Sequence, residues 1–239
     1  MHESTRRTRQ AVLVAAAMLA AVPVSAGAAD APDTPITASA PEIRQGQGWS
    51  LLGGSTSGDG ANVLAVNVGF PSVAVSFFRG VTSIQDFGLR IAFNYGYERL
   101  VTAIFPGLRA EGLMRLRLLD TGRVNLGVKG GVGVFAYFTP TFTLPGISIP
   151  LAVAVGIPVG SAVALSTGVD LPLFITFGPT GGFSVPVLFN AGLEYWLDKR
   201  WQTSLHFKMG PLLNTTGPFV PVGSAQIAFE VGLGTAIKL

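Results

Sequence analysis

The sequence predicts an all-β chain, a transmembrane antiparallel up-and-down β-barrel of about ten strands, within a range of roughly 8 to 12. Three observations predict this fold. Apolar and polar residues alternate along many short segments. Charged residues make up only 12% of the chain, whereas glycine supplies 31 of its 239 residues. Beyond the N-terminal segment, no apolar run reaches the roughly 20 residues that a membrane-spanning helix needs. Because successive side chains of a strand point to opposite faces, each segment has one apolar and one polar wall.

The first 28 residues have the three-part layout of a secretory signal peptide. Arg6, Arg7 and Arg9 precede an apolar stretch, and Ala26 and Ala28 match the small residues of a cleavage site. We expect export by the Sec route and cleavage of this segment. The segment holds three arginines and one glutamate, so its removal lowers the formal net charge from +3 to +1. Little electrostatic case for nucleic-acid binding then remains.

The mature chain divides into a leader and a barrel domain. Residues 29–47 are rich in alanine, proline and polar residues without periodicity, which predicts a flexible periplasmic leader. Residues 48–239 form the predicted outer-membrane barrel domain. The chain contains no cysteine, so it has neither a disulfide framework nor a cysteine metal site.

The first strands alternate clearly. Residues 62–70 and 73–78 stay in phase across a Pro-Ser turn and predict a hairpin. In the segment 87–98, Phe87, Leu89, Ile91 and Phe93 share one wall, whereas Arg90 and Glu98 share the other. A soluble protein would bury the apolar wall in a core, whereas a barrel in lipid would turn it outward.

The fourth segment, residues 108–118, favours the second arrangement. Arg109, Glu111, Arg115 and Arg117 lie on one of its walls, opposite small and apolar residues. A soluble core would not accept this charged wall, because buried unpaired charges are costly. We therefore expect it to face water or a polar lumen.

Six further segments complete the predicted set of ten: residues 124–138, 147–157, 163–175, 183–197, 201–209 and 225–239. Their polar walls carry Lys129, Asp170, Glu194, His206, Lys208 and Glu230. Prolines at 150, 172 and 186 interrupt three segments. Proline cannot donate a hydrogen bond to a strand ladder, so we expect bends near Pro172 and Pro186.

The connections alternate in length, which gives a second indication of a membrane barrel. The links around residues 80–86, 120–123, 158–161 and 197–200 are short. Most links at the opposite end are longer, including residues 98–107, 139–146, 176–182 and 210–224. Short periplasmic turns with longer outer loops are typical of outer-membrane barrels.

The last segment resembles the C-terminal strand of bacterial outer-membrane β-barrel proteins. Gly234, Ile237 and Leu239 match the family's closing pattern, with leucine in place of the usual terminal aromatic residue. The resemblance implies a strand that closes the barrel and is recognised by the outer-membrane assembly machinery. It implies outer-membrane localisation, with outer-membrane lipid around the barrel, in a Gram-negative type of bacterium. It identifies an architecture and no activity.

The sequence offers little that would support catalysis, and we expect neither an enzyme nor a metal or cofactor site. The mature chain has one histidine, His206, which we interpret as part of a polar wall, since metal sites need several convergent ligands. The carboxylates are scattered over different strands. The glycine clusters at 130–133 and 232–234 lack phosphate-loop spacing and open no helix.

The leading hypothesis is a monomeric outer-membrane barrel whose polar lumen is narrow or plugged, with a structural, narrow-channel or surface-interaction role and small ions or solutes as candidate permeants. The lumen candidates are Arg90, Glu98, Arg109, Glu111, Arg115, Arg117, Lys129, Asp170, Glu194, His206, Lys208 and Glu230. The arginines of the fourth segment suggest anion preference if the lumen conducts. One alternative is a secreted soluble β-barrel that binds an apolar ligand inside, with the two faces inverted. A membrane-embedded hydrolase is a third, which the residue spacing does not predict.

Overall fold

The computed structural model of the protein describes residues 48–96, 104–178, 181–214 and 226–239. These ranges contain thirteen β-strands: β1 (Asn62–Phe70), β2 (Ser72–Thr82), β3 (Gln85–Asn94), β4 (Gly107–Asp120), β5 (Asn125–Phe138), β6 (Thr143–Ile149), β7 (Leu151–Pro158), β8 (Val163–Asp170), β9 (Leu173–Thr176), β10 (Gly182–Pro186), β11 (Leu188–Trp196), β12 (Trp201–Asn214) and β13 (Gln226–Lys238). Within the same ranges, no helix is long and apolar enough to cross a membrane.

The strands close into a barrel. A ring of ten strands runs β5–β4–β3–β2–β1–β13–β12–β11–β8–β7 and returns to β5, and every pairing is antiparallel. The first and last strands pair along their length, from Val63 opposite Lys238 to Phe70 opposite Val231. The predicted antiparallel up-and-down barrel of about ten strands is therefore confirmed.

Three crossings of the wall are each made by two consecutive strands. β6 and β7 both pair with β5, and β10 and β11 both pair with β12, while β9 and β8 lie between these two broken crossings. The breaks fall at Pro150, at Leu171–Pro172 and at Val187, which follows Pro186. The prolines thus interrupt three crossings in the region where the sequence predicts bends.

Two predicted loops are shorter than expected. β6 begins at Thr143, inside the segment 139–146 that the sequence assigns to a loop, and includes Pro145. β12 extends to Asn214 and includes Pro211, so the predicted loop 210–224 starts later. The sequence interpretation places both prolines in loops and is wrong here, because a strand tolerates proline where the ladder needs no amide donor.

The two faces of the wall differ in polarity. On β3, the side chains of Phe87, Leu89, Ile91 and Phe93 point outward and are 48%, 66%, 65% and 49% exposed. Charged side chains point inward, and Glu194 and Asp86 are fully buried, with 0% exposure. The wall is therefore apolar outside and polar inside.

Apolar side chains also fill both ends of the interior. At the short-turn end the cluster consists of Trp49, Val63, Ala65, Phe78, Ala164, Trp196 and Ala236. At the long-loop end it consists of Phe135, Tyr137, Leu144, Phe174, Leu188, Leu212 and Ala228. Between these two layers lie most of the buried charges.

The short turns are tied by local hydrogen bonds. In the turn between β11 and β12, the Asp198 carboxylate accepts the N–H groups of Trp201 and Arg200, both at 2.7 Å. These backbone hydrogen bonds hold the pKa of the Asp198 carboxyl below its usual range. In the turn after β4, the Thr121 N–H donates to the Val124 carbonyl at 3.0 Å.

Candidate functional site: the barrel lumen

Residues Trp49–Ser57, called the inner segment below, lie inside the barrel at its short-turn end. Trp49 is 2% exposed and Ser57 is 0% exposed. The Trp49 Nε1 group donates to the Lys199 carbonyl at 3.3 Å, and the Thr56 hydroxyl donates to the Ser83 carbonyl at 2.7 Å. The segment therefore contacts two of the short turns and covers this end of the lumen.

Glycines allow the inner segment to touch the wall. A Cβ atom on Gly54 would lie 2.4 Å from the Gly127 nitrogen, and one on Gly127 would lie 2.5 Å from the Gly54 carbonyl oxygen. Either side chain would overlap the opposite backbone. The Gly54 N–H donates to the Asn125 Oδ1 atom at 2.7 Å, which fixes this contact on β5.

Two charged side chains hold the same pair of peptide groups. Glu194 accepts the N–H groups of Leu51 and Leu52 at 2.7 and 2.9 Å. Lys129 donates to the carbonyls of the same residues at 2.7 and 3.0 Å. Glu194 also accepts the Ser50 hydroxyl at 2.5 Å. Backbone groups of the inner segment thus act as partners for a buried carboxylate and a partly buried ammonium group.

A buried ion pair holds the two ends of the inner segment. Arg115 lies 2.5 Å from Asp86, and its guanidinium group also donates to the Ser50 carbonyl at 2.6 Å and to the Ser57 hydroxyl at 2.9 Å. The Ser57 N–H donates to both oxygens of Asp86, at 3.1 and 2.9 Å. The guanidinium carbon lies 4.2 Å from the centre of the Phe78 ring, within cation–π range.

A second polar cluster lies on the opposite wall. Lys208 contacts Asp170 at 2.5 Å and Glu230 at 3.2 Å. The His206 Nε2 atom lies 3.1 Å from Glu230, and Asn190 donates to Asp170 at 2.8 Å. These contacts join side chains from β8, β11, β12 and β13 in one network, and His206 is a member of it.

A third cluster lies towards the long-loop end. Glu111 is 3.8 Å from both Arg90 and Arg109, and it accepts the Ser148 hydroxyl at 3.0 Å. Arg109 donates to the Tyr137 hydroxyl at 3.2 Å, and its guanidinium carbon lies 4.8 Å from the centre of another aromatic ring, that of Phe174.

The structure places most of the predicted lumen residues in three clusters. The first surrounds the inner segment, the second contains Lys208, and the third contains Glu111. Arg117 is separate, because it pairs with Asp120 at 3.0 Å near the end of β4, where both side chains are partly exposed. Glu98 lies outside the described residues. Gly234 and Ile237 lie on β13, and Leu239, 59% exposed, follows that strand. Their role as an assembly signal stays a prediction.

Sequence reasoning missed two parts of the site. The sequence pattern places Asp86 in the turn at residues 80–86, whereas in the structure it lies in β3 and shares its parity with Arg90. The inner segment was included in the barrel domain without a role, because it carries no alternation. Its run of glycine and serine residues between Gly53 and Ser57 was the available signal.

The charges of the lumen balance among the described residues. The cations are Arg90, Arg109, Arg115, Lys129 and Lys208, and the anions are Asp86, Glu111, Asp170, Glu194 and Glu230. Arg115 of β4 therefore pairs with Asp86 on the neighbouring strand β3, which a count along one strand cannot show, whereas Arg109 lies near Glu111 of its own strand. This arrangement does not favour the anion preference that the sequence suggests.

A cavity of about 200 Å³ lies among these clusters. Its lining includes Lys129, Pro150, Asp170, Pro172 and Lys208. Among the described residues, no group of three or more His, Asp or Glu side chains is arranged to hold a metal ion. The site is thus a small chamber with paired charges.

No protein-family model matches the chain, and no curated protein matches it. Among solved structures, the chain is similar to in-vitro folded OmpT, an outer membrane protein of Vibrio cholerae, at 12% sequence identity and a TM-score of 0.37. The match covers 75% of this chain and 61% of the other, so this chain spans less than two thirds of that protein's length.

The glycine contact predicts the behaviour of one matched pair of variants. Gly127→Ala should displace the inner segment, because the new methyl group overlaps the Gly54 backbone. Gly130→Ala, on the outward face of the same strand, should not, because its methyl group meets only a leucine side-chain atom at 3.7 Å. The measurement is the labelling rate of Ser55→Cys, buried at 4% exposure, by a charged maleimide in the otherwise cysteine-free chain. Equal labelling rates in both backgrounds would contradict the contact.

The buried ion pair predicts a large effect on stability. Asp86→Asn leaves Arg115 without its carboxylate and should lower the free energy of unfolding by about 3–5 kcal/mol. The matched control is Asp120→Asn, whose partly exposed pair with Arg117 should contribute about 0–1 kcal/mol. Urea unfolding in lipid vesicles measures both. Similar losses in the two variants would show that Arg115 and Asp86 do not form the buried pair.

Proposed function

We propose that this chain is an integral outer-membrane β-barrel that forms a narrow channel, which the inner segment closes in the conformation described here. The observation that carries the proposal is the polarity of the wall. Large apolar side chains are exposed over the outside, whereas charged side chains are buried inside. A bilayer stabilises such an exterior, and water does not.

The dimensions of the wall support this environment. Most unbroken strands have 9 to 14 residues, and a tilted strand needs about 9–11 to cross the hydrocarbon layer. Outward aromatic rings lie near both ends. Phe70 stacks against Phe229 near the long-loop end, and Tyr195 and Trp201 are 45% and 43% exposed at the other. Aromatic girdles mark the two interfaces of membrane barrels.

The geometry of β3 and β4 argues against the soluble alternative. A soluble barrel with an apolar ligand inside requires Leu89 and Ile91 to point inward and Arg115 to point outward. In the structure Leu89 and Ile91 are 66% and 65% exposed, whereas Arg115 is 3% exposed. The interior is lined by charges, which makes it a poor site for a wholly apolar ligand.

The channel role follows from the size and filling of the lumen. A ten-stranded barrel is only slightly wider than one that its own side chains fill. The inner segment and the two apolar clusters fill most of this space, and the chamber between them holds only about 200 Å³. Conduction therefore requires displacement of the inner segment, which enters from the end with short turns, the periplasmic end in this assignment.

A pair of isoleucine variants tests the membrane assignment. Ile91→Arg places a charge on the lipid-facing wall and should cost about 2–4 kcal/mol of folding free energy in phospholipid vesicles. Ile84→Arg makes the same substitution in the β2–β3 turn, at the end of the wall and away from its lipid-facing middle, and should cost about 0–1 kcal/mol. Equal costs, or recovery of the exported wild type in the soluble fraction, would refute the membrane assignment.

Planar-bilayer recordings test the channel role. The wild type should show rare and brief openings, because the inner segment fills one end of the lumen. Gly127→Ala should show longer openings at least about tenfold more often, a change of roughly 1.4 kcal/mol in the opening equilibrium. Gly130→Ala should match the wild type. If Gly127→Ala frees the segment, as judged by cysteine labelling, but conducts no more than the wild type, the barrel is not a channel closed by this segment.

A further inference from the structure

Three prolines lie at the same level on neighbouring crossings of the wall. Pairing of Ala152 with Asp170 and of Ile149 with Leu173 places Pro150 opposite Pro172. The pairs Asp170–Leu188 and Phe174–Ser184 place Pro186 opposite Pro172 in the same way. We call Pro150, Pro172 and Pro186 the proline row. The pairing register between neighbouring crossings is the same above and below the proline row. The prolines therefore interrupt the strands without shifting their pairing.

The proline row removes hydrogen bonds from one junction in particular. The Leu171 N–H donates to the Leu151 carbonyl, and the Val187 N–H donates to the Pro211 carbonyl, at 2.7 and 2.9 Å. Alternate residues of a strand bond to opposite neighbours, so the nitrogens of Pro172 and Pro186 face each other. Neither nitrogen carries a hydrogen, and both carbonyl oxygens lose their ladder partner here. About 13 Å of this junction, from Asp170 to Phe174, therefore lacks ladder bonds.

The proline row borders the central cavity. Pro150 and Pro172 belong to the cavity lining, and the Pro172 and Pro186 side chains are on the inward, buried face. Outside, the same level carries Leu151 and Leu171, 44% and 37% exposed. Both axial ends of the lumen are filled by the two apolar clusters. The side wall at the proline row is thus the weakest boundary between the chamber and the surrounding lipid.

A cation lies just inside this boundary. Lys129 shares the inward face of β5 with Gly131, the residue opposite Pro150, and pairs with Ala152. Its ammonium group donates to the carbonyls of Leu51 and Leu52. Among the lumen cations of the described ranges, only Lys129 has no carboxylate within 4.0 Å. It is therefore the cation best placed to receive a carboxylate from a ligand.

We propose that the chamber binds a single-chain amphiphile with a carboxylate head group, and that its alkyl chain passes to the bilayer through the proline row. The carboxylate pairs with the Lys129 ammonium group, and the alkyl chain leaves through the junction between Pro172 and Pro186, past the outward side chain of Leu171. A carboxylate–ammonium hydrogen bond is strong at a partly buried site. At membrane depth, backbone groups without hydrogen-bond partners are tolerated where they are buried in protein or line a water-filled cavity. The junction between Pro172 and Pro186 borders the chamber, which fits an opening at this junction. The proposal rests on the membrane location proposed above.

The test uses the full chain in phosphatidylcholine vesicles and a dodecanoate that carries a diazirine at its terminal carbon. Photolysis followed by peptide mass spectrometry should place the cross-links on residues beside the proline row. Lys129→Met keeps the side-chain length but removes the charge, and should weaken dodecanoate binding about tenfold or more. Dodecanol, which has the same chain and no carboxylate, should bind both proteins equally. Equal dodecanoate binding to the two proteins would overturn the role of Lys129.

A second pair of variants tests the route. Pro172→Ala with Pro186→Ala restores both missing amide donors and should slow dodecanoate exchange from the bilayer about tenfold. The matched control is Pro158→Ala, in β7 at the short-turn end, which should exchange like the wild type. Unchanged exchange in the double variant, or cross-links confined to the outer groove around Phe87 and Met114, would overturn the lateral route. The isoleucine variants report on membrane location separately, so the two proposals fail in distinguishable ways.

Discussion

The polarity of the wall is the constraint on which the rest of this structure depends, and the proposed hydrocarbon environment, which offers no hydrogen bonds, accounts for it. Most charged side chains of the wall turn inward, into a lumen of ten strands that has little room for water, whereas Arg79 of β2 is exposed. Ten charges then share a small space, and an unpaired one would cost several kcal/mol. The lumen meets this cost by placing carboxylates beside most of its cations, within one strand or on different strands. Arg115 with Asp86 and Lys208 with Asp170 are the closest of these pairs.

Ion pairs between side chains do not provide a partner for every lumen charge, and the inner segment provides the remaining hydrogen bonds. Glu194 and Lys129 have no oppositely charged partner within ion-pair distance among the described residues, and each instead binds the peptide groups of Leu51 and Leu52. The segment is therefore more than a space-filling plug. Its displacement removes both hydrogen-bond partners of Lys129 and leaves Glu194 with the Gln202 amide, which links opening of the lumen to hydration of these two side chains.

The sequence predicts the features that depend on strand periodicity. The side on which Leu89 or Arg90 lies follows from alternation, and ten crossings follow from counting alternating segments. Contacts between distant residues do not follow in this way. The pairing of Arg115 with Asp86 depends on the register between β4 and β3, and the inner segment depends on glycine contacts at Gly54 and Gly127. Neither contact leaves a periodic signal. The excess of arginine on β4 therefore suggests anion preference in the sequence, whereas the structure pairs Arg115 with Asp86 of β3.

The alignment of the prolines also depends on strand register and cannot be predicted from the sequence alone. In the sequence Pro150, Pro172 and Pro186 are three separate interruptions, each costing its strand a hydrogen-bond donor. In the barrel they stand side by side, so the missing donors fall at one level of the wall. Scattered prolines would weaken several junctions slightly. Aligned prolines leave the long strands β1 to β5, β12 and β13 intact and concentrate the loss beside the chamber. In the membrane location proposed above, this barrel would therefore open more easily towards lipid than towards water, because the weakest junction of its wall would face the bilayer and not the aqueous ends.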